Sequence, residues 1–346
     1  MKASGAWVSV CVFVGLLFAS AASAVNIDLV TVGNPGNAGE LSGVGAGGSG
    51  ADRICGAVSY TYQIGKFEVT AGQYTEFLNA VAATDTYSLY RTYMADPTNA
   101  AYGCNIQRSG TSGSYTYSVA PDWANRPVNH VSWGDAARFA NWLTNGQPTG
   151  PQGLSTTEDG SYYFNGATTN AALMAVTRKA NARYVIPSED EWYKAAYHKN
   201  DGVTGNYWDY PTGTDSAPGR DMTETTNPGN NANYYTSPWV WPIDSGTYYT
   251  TTVGEFQLSD SPYGTFDQGG NVMEWNEAVL DSSARYQRGG TFDTIGSFLR
   301  AASRSSYPPT AESYNFGFRV AYVPEPCSAG LLLCGGLALV RRRFRR

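Results

Sequence analysis

The stretch Tyr263-Gly-Thr-Phe-Asp-Gln-Gly-Gly-Asn-Val-Met-Glu-Trp-Asn276 constrains the fold of this 346-residue chain more than any other. Gly269-Gly270 lets the backbone take positive φ and turn sharply back on itself. Asp267 and Glu274 bracket that turn, and peptide carbonyls can point inward between them. Oxygen-only ligands around a tight glycine turn suit a hard cation such as calcium. The plainer alternative is a glycine turn leading into a buried Trp275, with Glu274 paired to an arginine. Either way the chain is organised by loops, and the composition agrees. Only 15% of residues are charged, against 25 Tyr, 9 Trp and 39 Gly. That mixture favours a loop-rich fold with an irregular aromatic interior and argues against a helical bundle. The length is ample for one large domain with a real core.

Both ends stand apart from this pattern. Residues 1–24 carry Lys2, an apolar run from Trp7 to Phe18, and Ala22-Ser23-Ala24, which together read as a secretory signal peptide with its small-residue cleavage site. Residues 323–346 run Val323-Pro-Glu-Pro, then an apolar segment from Cys327 to Val340, then an arginine-rich tail. That apolar segment is shorter than the roughly 20 residues of a full membrane span. The arginines would hold this end on the cytoplasmic side. The order resembles the PEP-CTERM sorting signal of Gram-negative bacteria. The resemblance implies transient membrane insertion, cleavage by an exosortase, and delivery to the cell surface or extracellular matrix.

Setting aside Lys2, Glu325 and the five tail arginines leaves 17 basic residues against 28 acidic ones, a balance of −11. Such an acidic domain is a poor partner for nucleic acid. Between the two ends, residues 25–322 keep two cysteines, Cys55 and Cys104. In an oxidising compartment they suggest one disulfide, with two free buried thiols as the alternative.

Along this central part, glycines from Gly33 to Gly50 mark a flexible loop after an entry strand at Ile27–Val32. A second strand is expected over Tyr60–Val69, interrupted by Gly65. Tyr74, Phe77, Leu78 and Val81 fall at helical spacing behind Thr70 as N-cap. Residues 85–121 lack periodicity and read as a long surface loop. Ser132 and Asp135 cap a second helix that ends at Asn145-Gly146, and Ser188 with Glu191 forms a capping box for a third.

These segments carry further motifs: Glu68-Val-Thr, Pro127-Val-Asn-His-Val-Ser-Trp-Gly-Asp-Ala, Arg183-Tyr-Val-Ile-Pro-Ser-Glu-Asp-Glu-Trp, Arg288-Gly-Gly-Thr-Phe, Leu299-Arg-Ala-Ala-Ser-Arg and Gly317-Phe-Arg-Val-Ala. With Gly270-Asn-Val-Met-Glu-Trp275, they resemble in order the blocks of the formylglycine-generating enzyme (sulfatase-modifying factor) family, over residues 58–322. Met273 stands where that family usually has Trp. The resemblance implies an α+β, C-type-lectin-like fold with a few twisted antiparallel strands and about three helices. It also implies calcium on Asp267, the Gly270 and Val272 carbonyls and Glu274. A second calcium site would involve the Asn233 and Tyr234 carbonyls with Asp244 and Gly246.

The family's aerobic enzymes oxidise a sulfatase cysteine to formylglycine with copper held by two cysteines between the R-G-G and L-R-x-x-x-R blocks. Here that interval reads Thr291-Phe-Asp-Thr-Ile-Gly-Ser-Phe298. Asp293, Thr294 and Ser297 are not ligands for a soft monovalent copper, so no copper is expected. The two histidines, His130 and His198, are too few for a three-histidine metal site and read as polar residues at helix boundaries. No catalytic residues are therefore assigned. The reading is an exported, non-catalytic surface module for a matrix polysaccharide or protein partner. The alternative is an oxidase or other modifying enzyme acting on exported proteins.

Overall fold

The computed structural model describes residues 24–98, 101–236 and 248–323. The leader read in residues 1–24 and the sorting segment read in 323–346 lie outside it apart from Ala24 and Val323, as do Asp244 and Gly246. Among the described residues, no helix is long and apolar enough to cross a membrane.

Two four-stranded sheets carry the fold. The first orders β1 (Leu29–Val32), β4 (Tyr62–Gly65), β12 (Ala321–Tyr322) and β7 (Tyr184–Val185), all antiparallel. It sets the first and last strands on either side of β4, since Val30 and Ala321 both face Ile64. The second orders β10 (Ser305–Tyr307), β9 (Arg285–Arg288), β8 (Met273–Val279) and β11 (Phe316–Gly317), with only the β8–β11 pair parallel. Two small hairpins complete the strands, β2 (Glu40–Ser42) with β3 (Arg53–Cys55) and β5 (Ile106–Ser109) with β6 (Thr116–Val119).

The three anticipated helices form where their caps place them. α1 (Ala71–Val81) follows Thr70, α3 (Trp133–Thr144) follows Ser132, and α5 (Glu189–Tyr197) follows Ser188. Each starts with a complete capping box, which satisfies end amides that have no partner inside the helix. α1 and α3 pack their apolar faces together under the first sheet. Phe139 stands edge-on to Phe77 and to Phe318, with ring centres 5.3 and 5.5 Å apart.

Three expectations needed revision. The region 85–121, expected as one loop, contains the β5–β6 hairpin, and α2 (Pro121–Ala124) follows it. The glycine-rich segment after β1 contains the β2–β3 hairpin, and α4 (Asn170–Ala175) was not anticipated. These elements are short, and their pairing comes from the neighbours that cover them.

Candidate functional site

The glycine turn leads directly into β8. Gly270 has φ +93, and a Cβ there would lie 2.1 Å from the carbonyl oxygen of Asn233, so only glycine lets the two backbones approach. The Asn271 amide donates to that same oxygen at 2.9 Å. Asn233 Nδ2 donates to Asn271 Oδ1 at 2.9 Å and to the Tyr249 carbonyl at 2.9 Å. Asn233, from the expected second calcium set, is thus a direct neighbour of the first loop. Tyr234 turns its hydroxyl onto the Pro218 carbonyl at 2.5 Å.

Glu274 is fully buried and paired. Arg319 Nε donates to its Oε2 at 2.6 Å, Arg319 Nη2 to its Oε1 at 2.7 Å, and Trp192 Nε1 to Oε2 at 2.7 Å. Arg319 also ties down the carbonyls of Gly65 and Phe266. Asp267 takes a left-handed φ of 59° and accepts the Gly254 amide at 2.6 Å. Burial pushes its carboxyl up to about 6, only partly offset by that amide and Arg319.

Glu68, inside the strand expected over Tyr60–Val69 but three residues past the end of β4, is the residue that sequence reasoning missed. It is 2% exposed, and neither carboxylate oxygen has a hydrogen bond of normal geometry, the Val272 amide giving only the smallest of the effects on its charge. Burial holds its pKa well above the ordinary carboxylate range, and the negative charges of Asp267 and Glu274 push the same way. Three carboxyl groups therefore surround one guanidinium. This excess of buried oxygen donors fits a hard cation in charge and in ligand type. Among the described residues, however, no three His, Cys, Asp or Glu side chains are grouped to hold a metal by themselves. A calcium ion here would depend on the Gly270 and Val272 carbonyls together with Asp267 and a Glu274 already engaged by Arg319.

The interval that would carry copper contains no sulfur. Asp293 sits there instead, accepting Tyr314 Oη–H at 2.8 Å, Asn315 Nδ2 at 3.2 Å and the Thr291 hydroxyl. Thr294 Oγ1 accepts the Thr291 amide at 2.8 Å, and the Ser297 carbonyl accepts the Ser303 hydroxyl at 2.7 Å. Tyr102, Tyr249, Phe292 and Tyr314 pack around this turn, with the Tyr102 and Tyr249 ring centres 4.5 Å apart. The residues present do not fit copper.

Nor do the two cysteines supply it or form the anticipated bridge. Cys55 and Cys104 are both free and buried. Cys55 packs with Trp192, Tyr193 and Tyr207 in one cluster, while Cys104 lies in the main core, so each thiol is enclosed by different neighbours. The histidines are structural. His130 Nε2 meets the Ala101 carbonyl at 2.8 Å, and His198, the C-cap of α5, meets Tyr263 Oη at 2.9 Å. Burial lowers the pKa of both, which favours neutral imidazole.

A family model described as the sulfatase-modifying factor enzyme 1-like domain matches residues 57–323, most of the chain. The chain belongs to this family. Two solved structures agree on the fold, CarF and the variable protein 1 of Treponema denticola. The sulfatase-modifying-factor-like chain is similar to CarF at 21% identity and TM-score 0.53, over 86% of this chain and 99% of that one. It is similar to the variable protein 1 of Treponema denticola at 18% identity and TM-score 0.52, over 88% and 98% of the two chains. PvdO from Pseudomonas aeruginosa aligns at 18% identity and TM-score 0.47, over 86% and 94%. No curated protein matches the sequence. The α+β, C-type-lectin-like expectation for the fold holds: five α-helices among the described residues, small and mostly antiparallel sheets, and long ordered loops.

Proposed function

We propose that this sulfatase-modifying-factor-like domain is an exported surface module that binds a matrix polysaccharide or a protein partner and has no oxidase activity. The observation that carries this reading is the Thr291–Phe298 interval. There Asp293, held by Tyr314, Asn315 and Thr291, occupies the turn in which the family's copper enzymes need thiolates. A carboxylate and hydroxyls are hard ligands, and a soft monovalent copper does not bind to them in place of sulfur. The signal-peptide pattern of residues 1–24 and the Pro-Glu-Pro, apolar, arginine order of residues 323–346 support export and exosortase processing. In this reading calcium, bound through Asp267, Gly270, Val272 and Glu274, stiffens the loop entering β8.

The test is a Cys-x-Pro-x-Arg peptide incubated with the purified protein, with and without copper, and analysed by mass spectrometry. No conversion of cysteine to the aldehyde is expected. A copper-dependent conversion would overturn the binding-module reading in favour of the oxidase.

A further inference from the structure

A second site lies at the start of α3. The capping box there uses only one oxygen of Asp135. Oδ2 accepts the Ser132 amide at 2.9 Å and the Ser132 hydroxyl at 2.7 Å. Oδ1 has no hydrogen-bond partner among the described residues, although the residue is only 4% exposed. One turn further, Arg138 gives Nε and Nη2 to Glu158 at 2.6 and 3.1 Å, and Nη2 also to the Ala167 carbonyl at 2.8 Å. Its Nη1 is likewise left without a hydrogen bond among the described residues, in a side chain 2% exposed. Neither free atom is sealed off by protein. Both residues line one cavity of about 360 Å³.

The geometry points to a neutral saccharide in this cavity, with a vicinal diol shared between Asp135 Oδ1 and Arg138 Nη1. Residues three apart on a helix lie on one face. A buried acceptor beside a buried donor matches two neighbouring hydroxyls, one donating and one accepting. Tyr87, whose ring stacks on the Arg138 guanidinium at 4.7 Å, and Leu173 also line the cavity and bring apolar surface to it for the C–H face of a sugar ring.

Charge selects against anions. Asp135 and Glu312 balance Arg91 and Arg138 in the lining, Arg91 is paired with Glu312, and Arg138 is already neutralised by Glu158. No cation is left over for a phosphate or a uronate. The wall is also preformed. Asp85 fixes the loop carrying Tyr87 by accepting the Leu89 and Tyr90 amides and Gln152 Nε2, at 2.8, 3.3 and 3.2 Å. A preorganised loop loses little freedom on binding.

The inference rests on the binding-module reading and narrows its ligand. Calorimetry on the purified protein would use cellobiose, lactose, mannobiose and maltotriose, with oligogalacturonate as the acidic arm. At least one neutral sugar is expected to bind and the acidic one not to. Tyr87→Ala and Asp135→Asn should each weaken binding about tenfold or more, with the fold checked by circular dichroism. Binding that both variants leave intact would overturn this cavity while keeping the module reading. Binding of no neutral sugar would overturn the cavity alone, since a protein partner and the peptide oxidation test stand apart from it. Preference for oligogalacturonate would overturn the charge argument and with it the proposal.

Discussion

Glu189 and Glu68 are equally deep in the protein, 0% and 2% exposed, yet their surroundings are opposite. Glu189, the first residue of α5, accepts Arg288 Nε at 2.8 Å, Arg304 Nη2 at 2.6 Å and Arg53 Nη1 at 3.0 Å. It pins α5 to β3, β9 and the segment before β10. Glu68 has no well-formed hydrogen bond to either oxygen, only the Val272 amide nearby, and faces two more carboxyl groups across one arginine. Asp135 lies between them, with one oxygen satisfied and one free. Depth does not decide what a buried carboxylate does; the charge brought against it does. Glu189 is a structural pin, whereas Glu68 must hold its proton or share a cation.

The largest break in this contrast should come from Glu189→Ala. It strands buried Arg288 and Arg304 and should cost about 3–5 kcal/mol in urea unfolding. A loss under about 1 kcal/mol would erase the distinction. Next is calcium. At a hundred times its dissociation constant it should stabilise the protein by about 2.7 kcal/mol. EGTA and Glu274→Ala should each remove that gain, and a melting temperature indifferent to EGTA would leave Glu68 with a proton instead.

The intermediate group supplies a pH test. Burial pushes the Asp135 carboxyl up to about 6 from an ordinary 3.8, so the folded state binds its proton more tightly than the unfolded one. Its contribution to stability is then full below about pH 4 and is lost as pH rises to about 6. Stability of the wild type relative to Asp135→Asn should therefore fall over that window, by on the order of 1–3 kcal/mol, and stay level above it. A flat difference would show a carboxylate that ionises normally.

A smaller effect is expected from Glu68→Gln without calcium: within about 1 kcal/mol of the wild type, because an uncharged amide replaces a carboxyl already held neutral. A loss as large as that of Glu189→Ala would show Glu68 to be charged and paired. The smallest expected effect is none. Reductant should leave the melting temperature unchanged, and a thiol reagent at pH 8 should label neither cysteine until the protein unfolds. Burial pushes both thiols up to about 11, and at Cys55 the neighbouring Glu189 adds to the rise. A stability drop on reduction would restore the disulfide.

What the sequence determined by itself was local. Thr70, Ser132 and Ser188 marked three helix starts because a cap is a contact between residues three apart. The entry strand, expected over Ile27–Val32 and found at Leu29–Val32, and the turn at Gly269-Gly270 were legible because they too are local, as was the absence of thiols between Arg288 and Leu299. The family's motif order carried the fold. Tertiary structure decided everything that depends on partners distant in sequence. Glu274 met Arg319 45 residues away, as the plainer reading of the turn allowed, and Gly270 met Asn233. Cys55 and Cys104 were enclosed in separate clusters, although their number alone suggested a bridge. The orphaned Glu68 and the half-used cap of Asp135 carry no pattern in the chain, because a missing partner is a property of the packed neighbourhood. Spacing along the sequence reports which hydrogen bonds are within local reach, and only the folded chain shows which charges are left to face one another.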